Sequence, residues 1–267
     1  MYIKWGRTPP GILRIMQNNH GPLGPSLETA PLQVACSSCS LRELCLPAGI
    51  EARDMERIDR LVNHRRKLRR GEHLYRAGAA LASLYAIRSG TMKSCVLHED
   101  GREQVAGFHM MGDLLGMDAI SAGRHMCDTV ALEDCEVCEI PFPALEQLSR
   151  ELAPLQHQLH RIMSREIVRD YGVMLLLGSM KAEERLAAFL LNLSQRFAMR
   201  GYSAAEFNLR MTREEIGSYL GLKLETISRV LSRFQQDGLI EVHHKHLRIS
   251  DAERLRAILG QAPADNQ

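Results

Sequence analysis

A pattern of two short helices near the C-terminus constrains the fold of this chain more than any other feature. Thr212 and Glu215 have the spacing of a capping box, which predicts a helix over residues 213–220. Gly221 interrupts the helical pattern, and the spacing that follows predicts a second helix over residues 224–237. Two helices joined by a tight glycine-containing turn are typical of a helix-turn-helix.

The second predicted helix separates apolar from polar residues. Its buried face is expected to consist of Ile227, Val230, Leu231 and Phe234. Glu225, Ser228 and Arg229 lie on another face, near the start of the helix. In a helix-turn-helix this part of the second helix enters the major groove, where Arg binds guanine with two hydrogen bonds and Glu accepts from cytosine. The pattern therefore predicts that these three residues contact bases of double-stranded DNA.

Other residues of the same segment are expected to support this interface. Contacts with DNA phosphates are predicted for Thr212, Lys223, Thr226, Ser232 and Arg233. The apolar runs 239–242 and 247–249 flank His243–His246 and predict a small hairpin that forms a wing. The alternative for Glu225 and Arg229 is a surface ion pair worth roughly a few tenths of a kcal/mol. The capping box, the turn, the amphipathic second helix and the wing occur together, which favours a DNA interface over a surface ion pair.

A long helix is predicted from about Pro154 to Ser179. Residues with the 4-3-4-3 spacing of a coiled-coil seam run along it: Met163, Ile167, Asp170, Met174 and Leu177. The alternative is a helix packed on its own domain, but arginines on the other sides leave one narrow apolar stripe, which favours a homodimer. Two copies of Asp170 facing each other would oppose association. The predicted dimer is therefore marginal, and marginal equilibria are easily switched.

The region before this helix has a different pattern. Short apolar runs such as 84–87, 92–97 and 104–108 are separated by regularly placed glycines, which indicates an antiparallel sandwich or roll. The expected fold class is α+β: an N-terminal antiparallel β-roll resembling a cyclic-nucleotide-binding domain, a long dimerisation helix and a C-terminal winged helix-turn-helix. The expected divisions are a flexible extension over 1–35 with one short helix around Ile12–Asn18, then 36–150, 151–180, 181–250 and a tail over 251–267.

Three of the seven cysteines form a C-x2-C-x5-C run at Cys36, Cys39 and Cys45. With no secretory signal and no apolar run long enough to span a membrane, the chain is expected in the cytoplasm, where cysteines are thiols or ligands. Three thiolates require a fourth ligand from elsewhere in the chain. Zinc and a cubane iron–sulfur cluster both accept four cysteines, and the three-plus-one arrangement favours the cluster.

Rival classes of function explain less of the sequence. A regulator of the same fold with structural zinc, or with no metal, would respond to a different signal. A dithiol oxidoreductase using Cys36 and Cys39 lacks the expected βαβ pattern and leaves the helix-turn-helix unexplained. No catalytic Ser/His/Asp set or phosphate loop is evident, so the chain is not expected to be an enzyme. The formal net charge of +2 permits a nucleic-acid partner without demanding one.

Several motifs together resemble one known family. They are the cysteine run and the segments Ser83–Gly90, Gly107–His109, Gly112–Gly116, Val137–Phe142, Ala182–Phe189 and Tyr219–Arg229. These residues resemble the fumarate and nitrate reduction regulators (FNR), the oxygen-sensing branch of the cyclic-AMP receptor superfamily. The resemblance covers about residues 33 to 250 and is specific in its motifs.

The resemblance implies ligands and a mechanism. The cluster ligands would be Cys36, Cys39, Cys45 and Cys138, and the remaining Cys95, Cys127 and Cys135 would be small apolar residues. A [4Fe–4S] cluster in each subunit would favour a dimer that contacts RNA polymerase, and oxygen would destroy the cluster. Asp170 matches the seam aspartate of the family. The three base-contacting residues match those that bind TTGAT-like half-sites in an inverted repeat, TTGAT-N4-ATCAA.

The expected β-roll also raises the question of a nucleotide ligand. Nucleotide-binding relatives place a Glu after the Gly-Asp-x-x-Gly stretch and an Arg-Ser pair for the phosphate. This chain has Met117 at the first place and His125-Met126 at the second. A phosphodiester without its arginine loses a charge-assisted pair of hydrogen bonds. The sequence therefore predicts that cyclic AMP does not bind.

Overall fold

The computed structural model describes residues 36–46, 50–62, 64–97 and 101–260. The extension predicted over residues 1–35, its short helix and the end of the predicted tail from residue 261 lie outside the described residues. Within the part of the chain that the structure describes, no helix has both the length and the hydrophobicity needed to cross a bilayer.

Two antiparallel four-stranded sheets form the predicted β-roll. The first has the strand order β1-β8-β3-β6 and the second β2-β7-β4-β5. The strands are β1 (His64–Leu68), β2 (His73–Tyr75), β3 (Ser83–Ser89), β4 (Thr91–Leu97), β5 (Glu103–Met110), β6 (Leu114–Leu115), β7 (Asp128–Ala131) and β8 (Cys135–Pro141). Ile87, Met92 and Val137 are completely buried in the core of the roll. The three strands predicted from apolar runs are confirmed, because each carries enough apolar residues to cover one face of a sheet.

Helices pack around one end of the roll. They are α1 (Arg42–Cys45), α2 (Ala52–Leu61), α3 (Phe142–Glu151) and α4 (Ala153–Ser179), and a short 3-10 turn covers Cys36–Ser38. Met55 and Ile58 on α2 pack with Leu84 of β3 and with Leu155 of α4 in a second core cluster. The predicted long helix is thus confirmed as α4, whose first turns are fixed to the β-roll.

The C-terminal domain contains a winged helix-turn-helix. Its elements are α5 (Ala182–Ala198), β9 (Glu206–Asn208), α6 (Arg213–Leu220), α7 (Leu224–Gln236), β10 (Ile240–His243), β11 (His246–Ile249) and α8 (Ala252–Ala257). The capping box is present: Thr212 Oγ1 accepts from Glu215 N at 3.1 Å, and Thr212 N donates to Glu215 Oε2 at 2.7 Å. Gly221 has the left-handed φ of +63° that the tight turn between α6 and α7 requires.

The end of this domain differs from the expected division at residue 250. Helix α8 packs against α5, and Leu255 is completely buried in the same core as Leu190 and Phe234. The C-terminal domain therefore extends to at least residue 257. A six-residue helix spans fewer than two turns, which is too short to establish an apolar periodicity, so its burial was not visible in the sequence pattern.

The β-roll and the C-terminal domain share one continuous hydrophobic core. Val105, Phe108 and Met110 of β5 belong to the same buried cluster as the helices of the C-terminal domain. The Phe108 ring lies 5.9 Å from the Phe189 ring and 5.2 Å from the Tyr219 ring, centroid to centroid. This contact fixes the position of the helix-turn-helix relative to the β-roll.

Candidate DNA interface and cysteine site

The start of helix α7 presents the residues predicted to contact bases. The four predicted core residues of α7 are buried, with Ile227 completely inaccessible. Glu225 and Arg229 are exposed, and Ser228 is half-buried. The Arg213 guanidinium donates to Ser228 Oγ at 3.3 Å and thereby adds a second cation beside this surface. Arg213 was not singled out from the sequence, because it lies on α6 and approaches α7 only through the turn.

The residues predicted to contact phosphates differ in what they already bind. Thr212 uses its hydroxyl oxygen to cap α6, and Ser232 donates to the carbonyl of Ser228 at 3.0 Å. Arg233 pairs with Glu183 at 2.5 Å and lies 3.8 Å from Asp237. Lys223 is exposed and immediately precedes α7, and Thr226 is half-buried in its first turn.

The wing is a hairpin in which a two-residue turn joins β10 and β11. His243 pairs with His246 in the strand register, and His244 at the tip has a left-handed φ of +56°. His246 lies 3.2 Å from Glu206 on the neighbouring strand β9. The tip residues His243, His244 and Lys245 are exposed, as a wing that contacts phosphates requires.

Helix α4 carries an exposed apolar face. Ile167 and Met174 of the predicted seam are 50% and 59% exposed, and Asp170 lies exposed between them. Met163 is half-buried, and Leu177 packs against the core of the C-terminal domain. Exposed apolar residues of α4 outside the predicted set are Val168, Tyr171 and Leu175. The exposed face is therefore wider than the heptad positions alone suggested.

Four cysteines that are far apart in sequence line one apolar cavity. Cys36, Cys39 and Cys45 come from the segment 36–46, here called the cysteine segment, and Cys138 comes from β8. Strand pairing places Cys138 opposite Arg65 of β1 and Ala86 of β3. The Asp59 carboxylate of α2 accepts from the backbone N–H and the hydroxyl of Ser37, at 3.1 and 2.9 Å. These contacts hold the cysteine segment over the end of the β-roll.

The wall of this cysteine cavity includes the first half of α4. Leu155, Leu159 and Ile162 of α4 line it. Among the described residues, no group of three or more histidine, cysteine or acidic side chains is arranged to hold a single metal ion. The four ligands of a cubane bind four different iron atoms and so stand farther apart than the ligands of one ion. Four cysteine thiols around one cavity are a donor set that a cubane cluster can use, and the choice between a cluster and zinc stays a prediction.

Three thiols of the cavity, those of Cys36, Cys45 and Cys138, are protonated at neutral pH when they bind no metal. Burial, and then the neighbouring Cys138, raise the pKa of Cys36 to about 12. Burial, and then Cys39, raise the pKa of Cys45 to about 12. Burial also raises the pKa of Cys138, although Arg65 and Arg88 oppose the shift. Any metal bound here must displace these protons, because the thiolate is the ligand.

The other three cysteines lie away from the cavity. Cys95 and Cys135 are each 4% exposed. Cys127 is half-buried, and its thiol lies 3.5 Å from Asp118 Oδ2. Burial is the largest cause of the raised pKa of each of the three, about 12, 12 and 11 for Cys95, Cys127 and Cys135. At neutral pH these three cysteines are therefore mostly in the protonated thiol form.

The positions at which nucleotide-binding relatives carry their phosphate ligands hold a packed polar cluster. The His125 ring is stacked on Tyr75 with centroids 3.7 Å apart, and His125 Nδ1 lies 3.3 Å from Asp118 Oδ1. Asp118 Oδ2 accepts from the backbone N–H of Met126 at 2.7 Å. A carboxylate here would repel a phosphodiester; that cyclic AMP does not bind stays a prediction.

Comparisons with known proteins agree with this architecture. The family description "Cyclic nucleotide-binding domain" matches residues 65–151, and "Crp-like helix-turn-helix domain" matches residues 184–258. The chain is 46% identical over 236 residues to the fumarate nitrate reduction regulatory protein of Klebsiella oxytoca, covering 88% of this chain and 94% of that protein. It is 45% identical over 234 residues to the fumarate and nitrate reduction regulatory protein of Escherichia coli K12, with the same coverage.

A solved structure supports the fold. The structure of FixK2 from Bradyrhizobium japonicum superposes with a TM-score of 0.69 at 30% sequence identity. The match covers 74% of this chain and 98% of FixK2. The order of β-roll, long helix and helix-turn-helix is thus shared along nearly the whole length of that protein.

Proposed function

The chain belongs to the CRP/FNR family of transcription regulators and is FNR-like within it, and from this premise we propose that it is an oxygen-responsive regulator of anaerobic metabolism. It is a DNA-binding regulator and not an enzyme. In the proposed mechanism a [4Fe–4S] cluster in each subunit favours a homodimer in the cytoplasm. The dimer binds a TTGAT-N4-ATCAA-like palindrome, contacts RNA polymerase and needs no cyclic AMP.

One observation carries this proposal: the four cysteines and the first half of the dimerisation helix line the same cavity. Ligand binding at Cys36, Cys39, Cys45 and Cys138 would pull the cysteine segment toward β8. Leu155 and Ile162 of α4 contact the same space, so this movement changes the packing of α4. A change of a few kcal/mol in the dimer equilibrium is sufficient to move the population decisively.

The Cys138 side of the cavity suits a group with net negative charge. Cys138 lies between Arg65 and Arg88, and both guanidinium groups also contact Glu136, at 3.2 and 3.0 Å. Two cations and one carboxylate leave a positive excess beside Cys138, whereas Cys36 lies near the Asp59 carboxylate and Cys45 near that of Asp113. The cluster, when bound, supplies the oxygen-sensitive chemistry. The chain supplies four thiolates, two compensating cations and an apolar wall that limits access of water.

The exposed face of α4 supports the dimer. Ile167, Met174 and Tyr171 present a contiguous apolar surface that association would bury, with Asp170 opposing it. Dimers of helix-turn-helix proteins set their recognition helices about 34 Å apart, one turn of DNA. Each α7 would then place Glu225, Ser228 and Arg229 in one half-site.

The test is an anaerobic absorbance spectrum of the purified protein with iron and sulfide analysis, repeated after air is admitted. The expected result is a brown protein with about four irons per chain that bleaches in air. Cys138→Ser should lose the colour, whereas Cys95→Ser, which changes a buried cysteine away from the cavity, should keep it. A colourless protein with one zinc per chain that ignores air would refute the oxygen-sensing proposal.

A further inference from the structure

A buried ionic cluster joins the β-roll to the C-terminal domain of the same chain. Asp113 lies in the turn between β5 and β6, and its carboxylate accepts from Arg196 of α5 at 2.5 Å and from Arg200, in the turn that follows α5, at 2.7 Å. It also accepts from the backbone N–H of Met110 at 2.9 Å. The side chains of Asp113, Arg196 and Arg200 are only 13%, 13% and 5% exposed. We call these three residues the Asp113 clasp.

Backbone carbonyls complete the Asp113 clasp. Arg196 donates to the carbonyl of Phe108 at 2.9 Å, and Arg200 donates to the carbonyl of Met111 at 2.5 Å. Each guanidinium therefore binds both the Asp113 side chain and the backbone, Arg196 at the end of β5 and Arg200 in the turn that follows it. Without the carboxylate, two buried cations would lose the counter-charge that both of them contact, which is strongly unfavourable. The clasp thus fixes α5 to the turn between β5 and β6.

The same turn carries the cysteine segment on its other side. Gly112 has a φ of +85°, and a Cβ atom at this position would lie 2.7 Å from Leu44 Cδ1 and 3.0 Å from Leu44 Cβ. Leu44 therefore rests directly on the backbone of Gly112, and the next residue along the chain is Cys45. Gly112 also lines the cysteine cavity. A displacement of the cysteine segment must act on Gly112, which is bonded to Asp113.

A second contact orients the C-terminal domain without covering its DNA surface. Val105 N of β5 donates to Ser218 Oγ of α6 at 2.9 Å, and Lys93 of β4 pairs with Glu215 of α6 at 3.2 Å. In this docked position Glu225 and Arg229 of α7 remain exposed. The docked domain is therefore free to bind DNA.

We propose that Asp113 is a positioning residue that couples the cysteine segment to the C-terminal domain within one chain. The route runs from Leu44 to Gly112 and through Asp113 to Arg196 and Arg200. It acts alongside the dimer seam, so a bound cluster orients each helix-turn-helix as well as pairing the subunits. The coupling rests on the proposed function, because it requires a ligand at the cysteine segment. The Asp113 clasp itself does not depend on the proposed function.

The clasp is tested with Asp113→Asn in the full chain, because this change removes the charge and keeps the size of the side chain. Backbone amide exchange over residues 182–200 should accelerate by about tenfold or more, as expected for losing hydrogen bonds to a charged group. At equal dimer fraction, measured by sedimentation, affinity for the TTGAT palindrome should fall by a similar factor with unchanged iron content. The exposed Asp134→Asn is the control. Unchanged exchange and unchanged affinity would overturn the clasp.

The coupling is tested with Leu44→Ala, which leaves every residue of the clasp in place. In the parent, exchange over residues 182–200 should be slower with the cluster than after its removal, and Leu44→Ala should shrink that difference at least severalfold. An undiminished difference in an iron-loaded variant would overturn the coupling. If the parent binds no iron, the proposed function fails and the coupling fails with it. The Asp113→Asn result still decides whether the clasp holds the two domains together.

Discussion

Replacing Arg229 by Ala tests the DNA interface most directly. Arg229 is exposed on the second turn of α7, and among the described residues it has no hydrogen bond or ion pair. The substitution therefore removes no intramolecular contact, and Ala is a better helix former than Arg. The free energy of unfolding should change by less than about 0.5 kcal/mol. Any loss of DNA affinity can then be attributed to the interface.

The size of the loss follows from the contact that Arg229 can make. A bidentate arginine–guanine pair discriminates by about 1–3 kcal/mol, so each half-site should lose about 5- to 150-fold in affinity. The loss should concentrate at one base pair of the half-site. Operators with single substitutions at each position, measured by fluorescence anisotropy at constant salt, would locate that base pair, because the variant should no longer distinguish the bases there.

Arg233 provides the matched control. It lies one turn further along α7, but Glu183 and Asp237 already partly neutralise it. Arg233→Ala should weaken binding to operator and scrambled DNA alike and lower the salt dependence by at most about one unit, because its charge is already partly neutralised. The reasoning is refuted if Arg229→Ala keeps the parent's preference at every position, or if both variants weaken all DNA sequences equally.

Two further predictions concern the seam and a buried histidine. Asp170→Ala removes the like charges that oppose association on the exposed face of α4. The dimer should become more stable by about 1 kcal/mol or more, and dimers should form in air. If the variant sediments only as a monomer in air, the prediction is wrong. Burial, and then Arg169, lower the pKa of His109 to about 3 in the folded chain. Between about pH 3 and 6.5, His109 therefore carries a proton in the unfolded chain but not in the folded chain. His109 should therefore reduce stability as pH falls through this window, by up to about 1.4 kcal/mol per pH unit. Urea unfolding between pH 4 and 6 should show a shallower dependence in His109→Asn, and an identical slope would contradict the role of His109.

The sequence by itself was sufficient for the local structure. The capping box at Thr212, the turn at Gly221 and the apolar stripe of α7 are fixed by residues a few positions apart, so their patterns predict elements that the structure contains. The same holds for α4 and for the strands between regularly placed glycines. These features depend on backbone geometry and on helical or strand periodicity, which neighbouring residues determine.

The sequence patterns did not predict which residues contact each other in the folded chain. The heptad spacing placed Leu177 and Met174 in the same predicted dimer seam. In the structure, Leu177 packs on the C-terminal domain, whereas Met174 is exposed. Spacing identifies an apolar stripe but does not identify what covers it. Residue spacing alone also could not choose among Cys95, Cys127, Cys135 and Cys138 as the partner of the cysteine run, and only the resemblance singled out Cys138.

Only the tertiary structure brings Cys138 into the cavity, because β8 pairs with β1 and β3 at that end of the roll. The Asp113 clasp was likewise invisible in the sequence, since Arg196 and Arg200 lie more than eighty residues from Asp113. Contacts over such separations depend on how the completed elements pack. Local patterns therefore determined which helices and strands form, and packing between the domains decided which distant residues come into contact.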